Sequence, residues 1–167
     1  MFCGGTRRKH SPLGDGTCEK EKLGNRQAQR VACLCMHLHL HGAYFSVENP
    51  KGSLLWYHPD MLDLLKVGFY VDFDQCMYNL RIPHVVDRQQ ALLIKKPTRL
   101  LTNLSCLTDL RLQCDRSHKH LPCKGSVRVI RDGKERSISI SAAAGAYPLE
   151  LCRAWSRSVA RFCKACR

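Results

Sequence analysis

The stretch Ala43-Tyr44-Phe45-Ser46-Val47-Glu48-Asn49-Pro50 largely determines which fold we expect. Aromatic and β-branched residues dominate positions 43–48, which predicts a buried β-strand. Asn49 and Pro50 then end the strand, because an Asn-Pro pair favours a turn. Glu48 would therefore lie at the end of a strand, where open α/β sheets commonly bind their ligands.

A helix is predicted directly before this strand, over residues 25–41. Its apolar residues recur at the spacing of a single helix face. They are Val31, Leu34, Cys35 and Leu38. Asn25 is the expected N-cap, and Gly42 is placed to end the helix. Residues 1–22 are expected to form a loop or a disordered N-terminus, since they are polar and lack a hydrophobic period.

Further helix and strand signals follow the first strand. Residues 53–66 predict a helix that is broken at Pro59. Residues 69–78 predict a second strand, and Thr98 to Leu104 is a third strand candidate. Alternation of this kind is typical of α/β proteins, in which helices pack on a central sheet.

The C-terminal third predicts a β-hairpin followed by a basic helix. Ser126–Ile130 and Ser137–Ser141 flank the turn signal Arg131-Asp132-Gly133-Lys134. A final helix opens at Tyr147-Pro148, and its cationic face suits either a solvated surface or contact with a phosphate backbone. The basic residues of this helix are Arg153, Arg157, Arg161, Lys164 and Arg167. We therefore expect residues 23–167 to form one α/β domain.

The charge of the chain favours a polyanionic partner. Lys and Arg number 27 against 14 Asp and Glu, which gives a net charge of +13 over 167 residues. The charge is spread along the chain, and cations that neutralise phosphates release condensed counterions. We therefore expect nucleic acid, and DNA in particular, as the partner.

The chemical state expected for the eleven cysteines depends on the cellular compartment of the protein. The opening MFCGGTRRKHSPLGDG lacks the apolar segment of a signal peptide. The most apolar stretch, residues 31–47, contains three histidines and is a poor membrane span. The expected protein is therefore intracellular, nuclear if it acts on DNA, and neither secreted nor membrane-spanning. Its thiols would be free or bound to a metal.

Residues 95–103 are the first candidate surface for nucleic acid. Cations before and within the third predicted strand are combined with hydroxyl and amide groups, which suit contacts with phosphates and base edges. The alternative is a solvated basic loop. The candidate contacts are Lys95, Lys96, Thr98, Arg99 and Asn103.

A second candidate site combines Cys114, His118, His120 and Cys123. Two thiolates and two imidazoles are the donors that tetrahedral zinc prefers. The spacing is not that of a familiar zinc finger, so a polar loop with incidental Cys and His is the alternative. No Gly-rich phosphate loop and no HExxH motif occurs in the sequence.

The order of several segments resembles a phage and mobile-element family similar to DNA cytosine-5 methyltransferases. The matching segments, within about residues 24–160, are GNR, HGAYFSVENP with SLLW, FDQCMYNLRIP, KKPTRLLTN, CDRSHKH and AYPLELCRAW. The resemblance implies that Glu48, with Asn49, binds the polar edge of a flipped cytosine. It also implies that Gln75-Cys76 and the KKPTR segment contact the DNA backbone.

The resemblance further implies a thiolate on a Pro-Cys loop before Glu48 and a Gly-rich loop for S-adenosylmethionine. Neither occurs in residues 1–42, and the one Pro-Cys pair, Pro122-Cys123, follows Glu48. We therefore expect the C-terminal part of a methyltransferase-like domain. It would be a partial Rossmann-like sheet that binds DNA, lacks S-adenosylmethionine and is inactive alone. The alternatives are a non-enzymatic nucleic-acid-binding module stabilised by zinc, or a decayed copy without function.

Overall fold

A computed structural model describes residues 5–82 and 92–165 of the chain. These residues form a mixed α/β structure with helices and small sheets, as the sequence predicts. The chain divides into two compact units, Met1–Val71 with Arg99–Ser105, and Asp72–Thr98 with Cys106–Arg167. Residues 1–4 of the predicted N-terminal loop and Arg167 of the predicted basic helix lie outside the described residues.

The first unit opens with helix α1 (Glu19–Leu40), which begins earlier than the expected start at Asn25. Its first turn is charged, so the hydrophobic period does not reveal it, and two acidic residues there complement the helix dipole. Asn25 does not cap the helix. Its side chain accepts a hydrogen bond from the Arg7 guanidinium and donates one to the Leu13 carbonyl oxygen.

The buried face of α1 differs from the predicted one. Val31 is 40% exposed and Leu34 is 60% exposed, while two alanines and Cys35 face the core. Small side chains let other elements approach the helix closely. The core of the first unit consists of Ala28, Ala32, Cys35, Phe45, Leu55, Trp56, Met61, Leu64 and Leu101. Full burial of one large side chain in this set contributes about 1.5–3 kcal/mol.

Strand β1 (Ser46–Pro50) follows α1, and it begins later than the predicted strand. Residues 54–64 confirm the predicted broken helix: the 3₁₀ turn Leu54–Tyr57 precedes helix α2 (Pro59–Leu64). Pro59 opens α2 because its missing N–H is not needed in the first helical turn.

Strands β1, β2 (Phe69–Asp74) and β4 (Pro97–Thr102) form a three-stranded sheet in the order β1, β4, β2. The boundary between the two units falls within β2, after Val71, and within β4, after Thr98. Strand β2 is shorter than predicted, because the chain turns at Gln75–Tyr78 into a 3₁₀ turn.

The second unit contains short paired strands and two helices. Strands β3 (Leu93–Ile94) and β5 (His120–Leu121) pair in parallel. The remaining elements are β6 (Ser126–Arg131), β7 (Lys134–Ser139), α3 (Ile140–Ala143) and α4 (Leu149–Ala165). Its core consists of Leu80, Ile82, Ile94, Leu121, Val127, Val129, Ile140 and Ala144.

Strands β6 and β7 confirm the predicted hairpin. They pair antiparallel, with Arg131 opposite Lys134. Asp132 and Gly133 have φ of 54° and 71°, the left-handed backbone that a two-residue type I′ turn requires. The second strand ends at Ser139 because Ile140 begins α3.

No helix in the described part of the chain is long and apolar enough to cross a membrane.

Candidate functional site

Four possible metal ligands come together in the second unit: Cys76, Cys114, His118 and His120. One donor atom from each lies within 4.8 Å of the others. The Cys114 sulfur is 3.7 Å from His118 Nε2 and 3.4 Å from His120 Nε2. A sulfur and a nitrogen bound to one tetrahedral zinc are about 3.6 Å apart, given their bond lengths. The residues therefore fit a metal ion of this size.

Three hydrogen bonds place Cys114 beside the end of β2. The N–H of Cys114 donates to the Asp74 carboxylate at 2.9 Å, and the N–H of Asp74 donates to the Leu112 carbonyl oxygen at 2.9 Å. The Gln113 amide donates to the Asp72 carbonyl oxygen at 2.9 Å. Since Cys76 follows two residues after Asp74, these bonds bring both sulfurs to the same place.

A tight turn returns the chain from Cys114 to His118. The Asp115 carboxylate accepts from the N–H and the hydroxyl of Ser117, at 2.9 and 2.7 Å. Arg116 has a φ of 64°, and its N–H donates to the Cys114 sulfur at 3.4 Å. His120 then opens β5, so the pairing of β5 with β3 fixes its position.

The electrostatic environment differs between the ligands. Burial, followed by the neighbouring Cys114 sulfur and the Asp74 carboxylate, raises the pKa of the Cys76 thiol to about 12. A bound cation would replace that proton, because the thiolate is the metal ligand. Burial, together with His118 and Lys95, lowers the pKa of His120. This favours the neutral imidazole, which is the form that binds metals.

Three of these four residues belong to the predicted zinc site, and the fourth, Cys76, does not. Cys123 is not part of the cluster; its side chain is half-buried and packs against the core of the second unit. The fourth member of the cluster is Cys76, which lies near the start of the second unit. Cys76 was missed because the predicted second strand extended over residues 69–78, whereas β2 ends at Asp74 and Cys76 lies in the turn that follows.

Glu48 and Asn49 line a cavity of about 270 Å³ in the first unit. Its walls carry one carboxylate and two carboxamides, and the rest is largely apolar. The lining residues are Gly24, Gln27, Ala28, Val31, Val47, Glu48, Asn49, Leu55 and Met61. The cavity lies just below the range of about 300–1,000 Å³ that is usual for small-molecule sites.

The five predicted nucleic-acid contacts are divided between the two units. Lys95, Lys96 and Thr98 belong to the second unit, whereas Arg99 and Asn103 belong to the first. The Lys96 ammonium donates to the Ala144 carbonyl oxygen at 2.9 Å and lies 5.6 Å from the Tyr147 ring centroid. The Arg99 guanidinium lies 4.2 Å from the Tyr70 ring centroid.

Two of these predicted contacts are corrected by their burial and hydrogen bonds. Thr98 is fully buried, and its hydroxyl accepts from the Gln75 amide at 2.9 Å. The Asn103 side chain accepts from the Phe45 N–H at 2.9 Å and donates to the Ala43 carbonyl oxygen at 3.1 Å. Thr98 is therefore out of reach of a ligand, and the half-buried Asn103 side chain is bound to the backbone of the first unit.

Comparisons with family models, with curated proteins and with solved structures found no match for this chain. The functional argument therefore depends on the chemistry of its side chains.

Proposed function

We propose that this chain is a nucleic-acid-binding module whose second unit is stabilised by a zinc ion. The convergence of Cys76, Cys114, His118 and His120 within 4.8 Å is the observation that carries the proposal. Two thiolates with two imidazoles form a common ligand set of structural zinc sites. Four protein ligands leave no open position for substrate, so the metal has a structural role.

The donor set also selects among metals. Magnesium and calcium prefer oxygen ligands, whereas sulfur and imidazole donors suit zinc. The Asp74 carboxylate accepts the Cys114 N–H. This carboxylate therefore orients a ligand, as hydrogen-bond partners around metal sites commonly do.

The charge around the ligands supports a nucleic-acid partner. Arg116 and Lys119 lie between the ligands of the loop and are exposed. Lys95 is close enough to His120 to lower the pKa of its imidazole. A bound metal would hold these cations on a fixed loop, where they could neutralise phosphates.

Metal analysis of the purified full chain tests the zinc proposal. We expect about one zinc ion per chain in the wild type, because the four donors close a tetrahedral site. Cys114→Ala should lose the metal. Cys123→Ala is the matched control and should keep it, since Cys123 lies outside the cluster. A wild type without zinc, or a Cys114→Ala variant that keeps it, would contradict the proposal.

Duplex DNA binding tests the nucleic-acid proposal separately. Fluorescence anisotropy should detect binding whose affinity falls between about 50 and 200 mM salt, because phosphate contacts release counterions. Absence of salt-dependent binding to DNA or RNA would reject a nucleic-acid function even if zinc is present.

A second candidate function is that of a methyltransferase-like protein derived from a mobile element, with a pocket that binds an extruded base. The presence of Glu48 and Asn49 in the wall of one cavity favours it. A carboxylate and a carboxamide can address the polar edge of a base. We expect the chain to prefer a duplex with a mismatched cytosine over a matched duplex, and Glu48→Ala to remove the preference. Equal binding of both duplexes by the wild type would refute this function. No site for S-adenosylmethionine is part of the proposal.

A further inference from the structure

Helix α4 exposes a row of cations along one side. Arg153, Arg157, Arg161 and Lys164 are all exposed, and their spacings of four, four and three residues keep them on one helix face. We call these four residues the basic α4 face. At 1.5 Å per residue the row is about 16 Å long. Glu150 precedes it by one turn, at the N-terminal end where a carboxylate complements the helix dipole.

One cation of the basic α4 face has a partner that holds the helix in place. The Arg161 guanidinium is 2.6 Å from the Asp109 carboxylate, which also accepts the Ser158 hydroxyl at 3.1 Å. Within residues 5–82 and 92–165, no ion pair involves Arg153, Arg157 or Lys164. Three exposed cations on a helix whose position is fixed are therefore available to an external anion.

The opposite side of α4 is engaged by the protein. Leu151 and Ser158 are buried at 1% and 2% exposure, and Trp155, Val159 and Phe162 are half-buried. The helix packs against the 3₁₀ turn Gln75–Tyr78, which supplies the metal ligand Cys76. A basic helix that binds lipid places its apolar side in the membrane. That side is occupied here, which favours nucleic acid over an anionic lipid surface.

We propose that the basic α4 face binds the phosphate backbone of a nucleic acid without reading its sequence. This inference rests on the proposed nucleic-acid function and names the surface that performs it. Arginine and lysine contacts to phosphates position a protein on its nucleic acid, whereas base edges are read mainly by bidentate contacts within a groove. The exposed residues beside these cations have side chains too short to extend past them to a base; they are Cys152, Ser156, Ala160 and Cys163.

The test is a triple variant of the full chain, Arg153→Gln with Arg157→Gln and Lys164→Gln. Arg161 is kept, so its contact with Asp109 is retained. The matched control removes the same charge from exposed positions of α1, in the first unit. Its substitutions are Lys20→Gln, Arg26→Gln and Arg30→Gln.

Binding is measured by fluorescence anisotropy over a salt series, with duplex DNA, single-stranded DNA and duplex RNA as probes. For duplex DNA, we expect the slope of log affinity against log salt to become shallower by about two to three in the triple variant, because each phosphate contact contributes about 0.9. The control should change the slope by less than about one. Each single variant should make the salt slope of the wild type shallower by about one. The single variants therefore test the inference even if the triple variant does not fold. The probe with the largest change identifies the backbone that this face binds.

Two failures are distinguishable. If the wild type binds and the triple and single variants keep its salt slope, the inference is wrong while the proposed function stands. If the wild type shows no salt-dependent binding to any probe, the proposed function itself fails. Vesicles with anionic lipid serve as a further probe. Loss of vesicle binding in the triple variant, with unchanged nucleic-acid binding, would overturn the inference in favour of a membrane surface.

Discussion

The N–H of Cys114 donates a hydrogen bond to the Asp74 carboxylate at 2.9 Å. This contact joins the loop that contains three of the candidate metal ligands to the residue two positions before the fourth, Cys76. Asp74 is 7% exposed, so little water competes for the bond. Asp74 therefore positions Cys114 within the candidate metal site.

Removing this carboxylate should weaken metal binding. We expect Asp74→Ala to reduce zinc affinity about 10–100-fold, the usual effect of losing a group that orients metal ligands. Competition with a coloured chelator measures the affinity. Asp74→Asn is the matched control, because its amide oxygen can still accept the Cys114 N–H. Equal affinity of wild type and Asp74→Ala would show that the contact does not position the site.

Removal of the metal should destabilise the protein. A ligand that binds only the folded state adds about 2.7 kcal/mol when its concentration is 100 times its dissociation constant. We therefore expect a strong chelator to lower the urea midpoint of the wild type and of Cys123→Ala by the same amount. Without chelator, Cys76→Ala should already be less stable than the wild type. The chelator should change its urea midpoint only slightly. A full response from Cys76→Ala would exclude this cysteine from the site.

Asn103 should be important for stability and unimportant for nucleic-acid binding. Asn103→Ala leaves the Phe45 N–H and the Ala43 carbonyl oxygen without their side-chain partner, at a cost of about 1–3 kcal/mol. Asn103→Asp keeps an acceptor for the Phe45 N–H but places a carboxylate oxygen against the Ala43 carbonyl oxygen, so it should also be destabilising. Urea unfolding measures stability, and anisotropy measures DNA affinity. A drop in affinity without a change in stability would restore Asn103 as a direct contact.

The hydrogen bonds of the Glu21 carboxylate predict that the thermal stability of the protein depends on pH. Its carboxylate accepts from the Thr6 hydroxyl and N–H, both at 2.7 Å, and these bonds hold the pKa of Glu21 below its usual 4.5. A carboxyl group whose pKa is lower in the folded state than in the unfolded state stabilises the fold fully at pH values above its unfolded-state pKa. This stabilisation is lost as the pH falls through the folded-state pKa. The Tm difference between wild type and Glu21→Gln should therefore be constant above about pH 5 and shrink below pH 4.5. A difference that grows as the pH falls would have the wrong sign.

Gly68 should not tolerate a side chain. A Cβ there would lie 2.8 Å from the Thr102 carbonyl oxygen and 3.3 Å from side-chain atoms of Leu101 and Phe45. We expect Gly68→Ala to cost about 1–3 kcal/mol, because a packed neighbourhood must shift. Gly52→Ala is the control, since no atom lies within 4 Å of its added Cβ. Thermal unfolding compares the two, and equal Tm values would contradict the predicted overlap.

Two local sequence signals predicted the local structure correctly. The hairpin followed from Asp132-Gly133, because few residues adopt the left-handed backbone of its turn. The break in the helix followed from Pro59, which lacks the N–H that a helix interior needs. Both features depend on neighbours in the sequence, so the sequence alone contains the information.

Features that depend on distant contacts were predicted poorly. The helical period placed Val31 and Leu34 in the core, but the buried face of α1 carries Ala28 and Ala32. Periodicity identifies apolar residues and does not show that a closely packed interface prefers small ones. Cys123 was chosen as a ligand because it is near His120 in the sequence. Cys76 lies beside Cys114 instead, because the Cys114 N–H donates to the Asp74 carboxylate at the end of β2, two residues before Cys76.

Cys76 and Cys114 are about forty residues apart in the sequence. Bringing together the ends of a flexible segment of that length costs about 3 kcal/mol in chain entropy, by the loop-closure relation. The metal would hold this long loop closed, as a cross-link does. Residues 114–120 supply three of the four donors and Cys76 supplies the fourth, so closure of the site would coincide with the final assembly of the second unit.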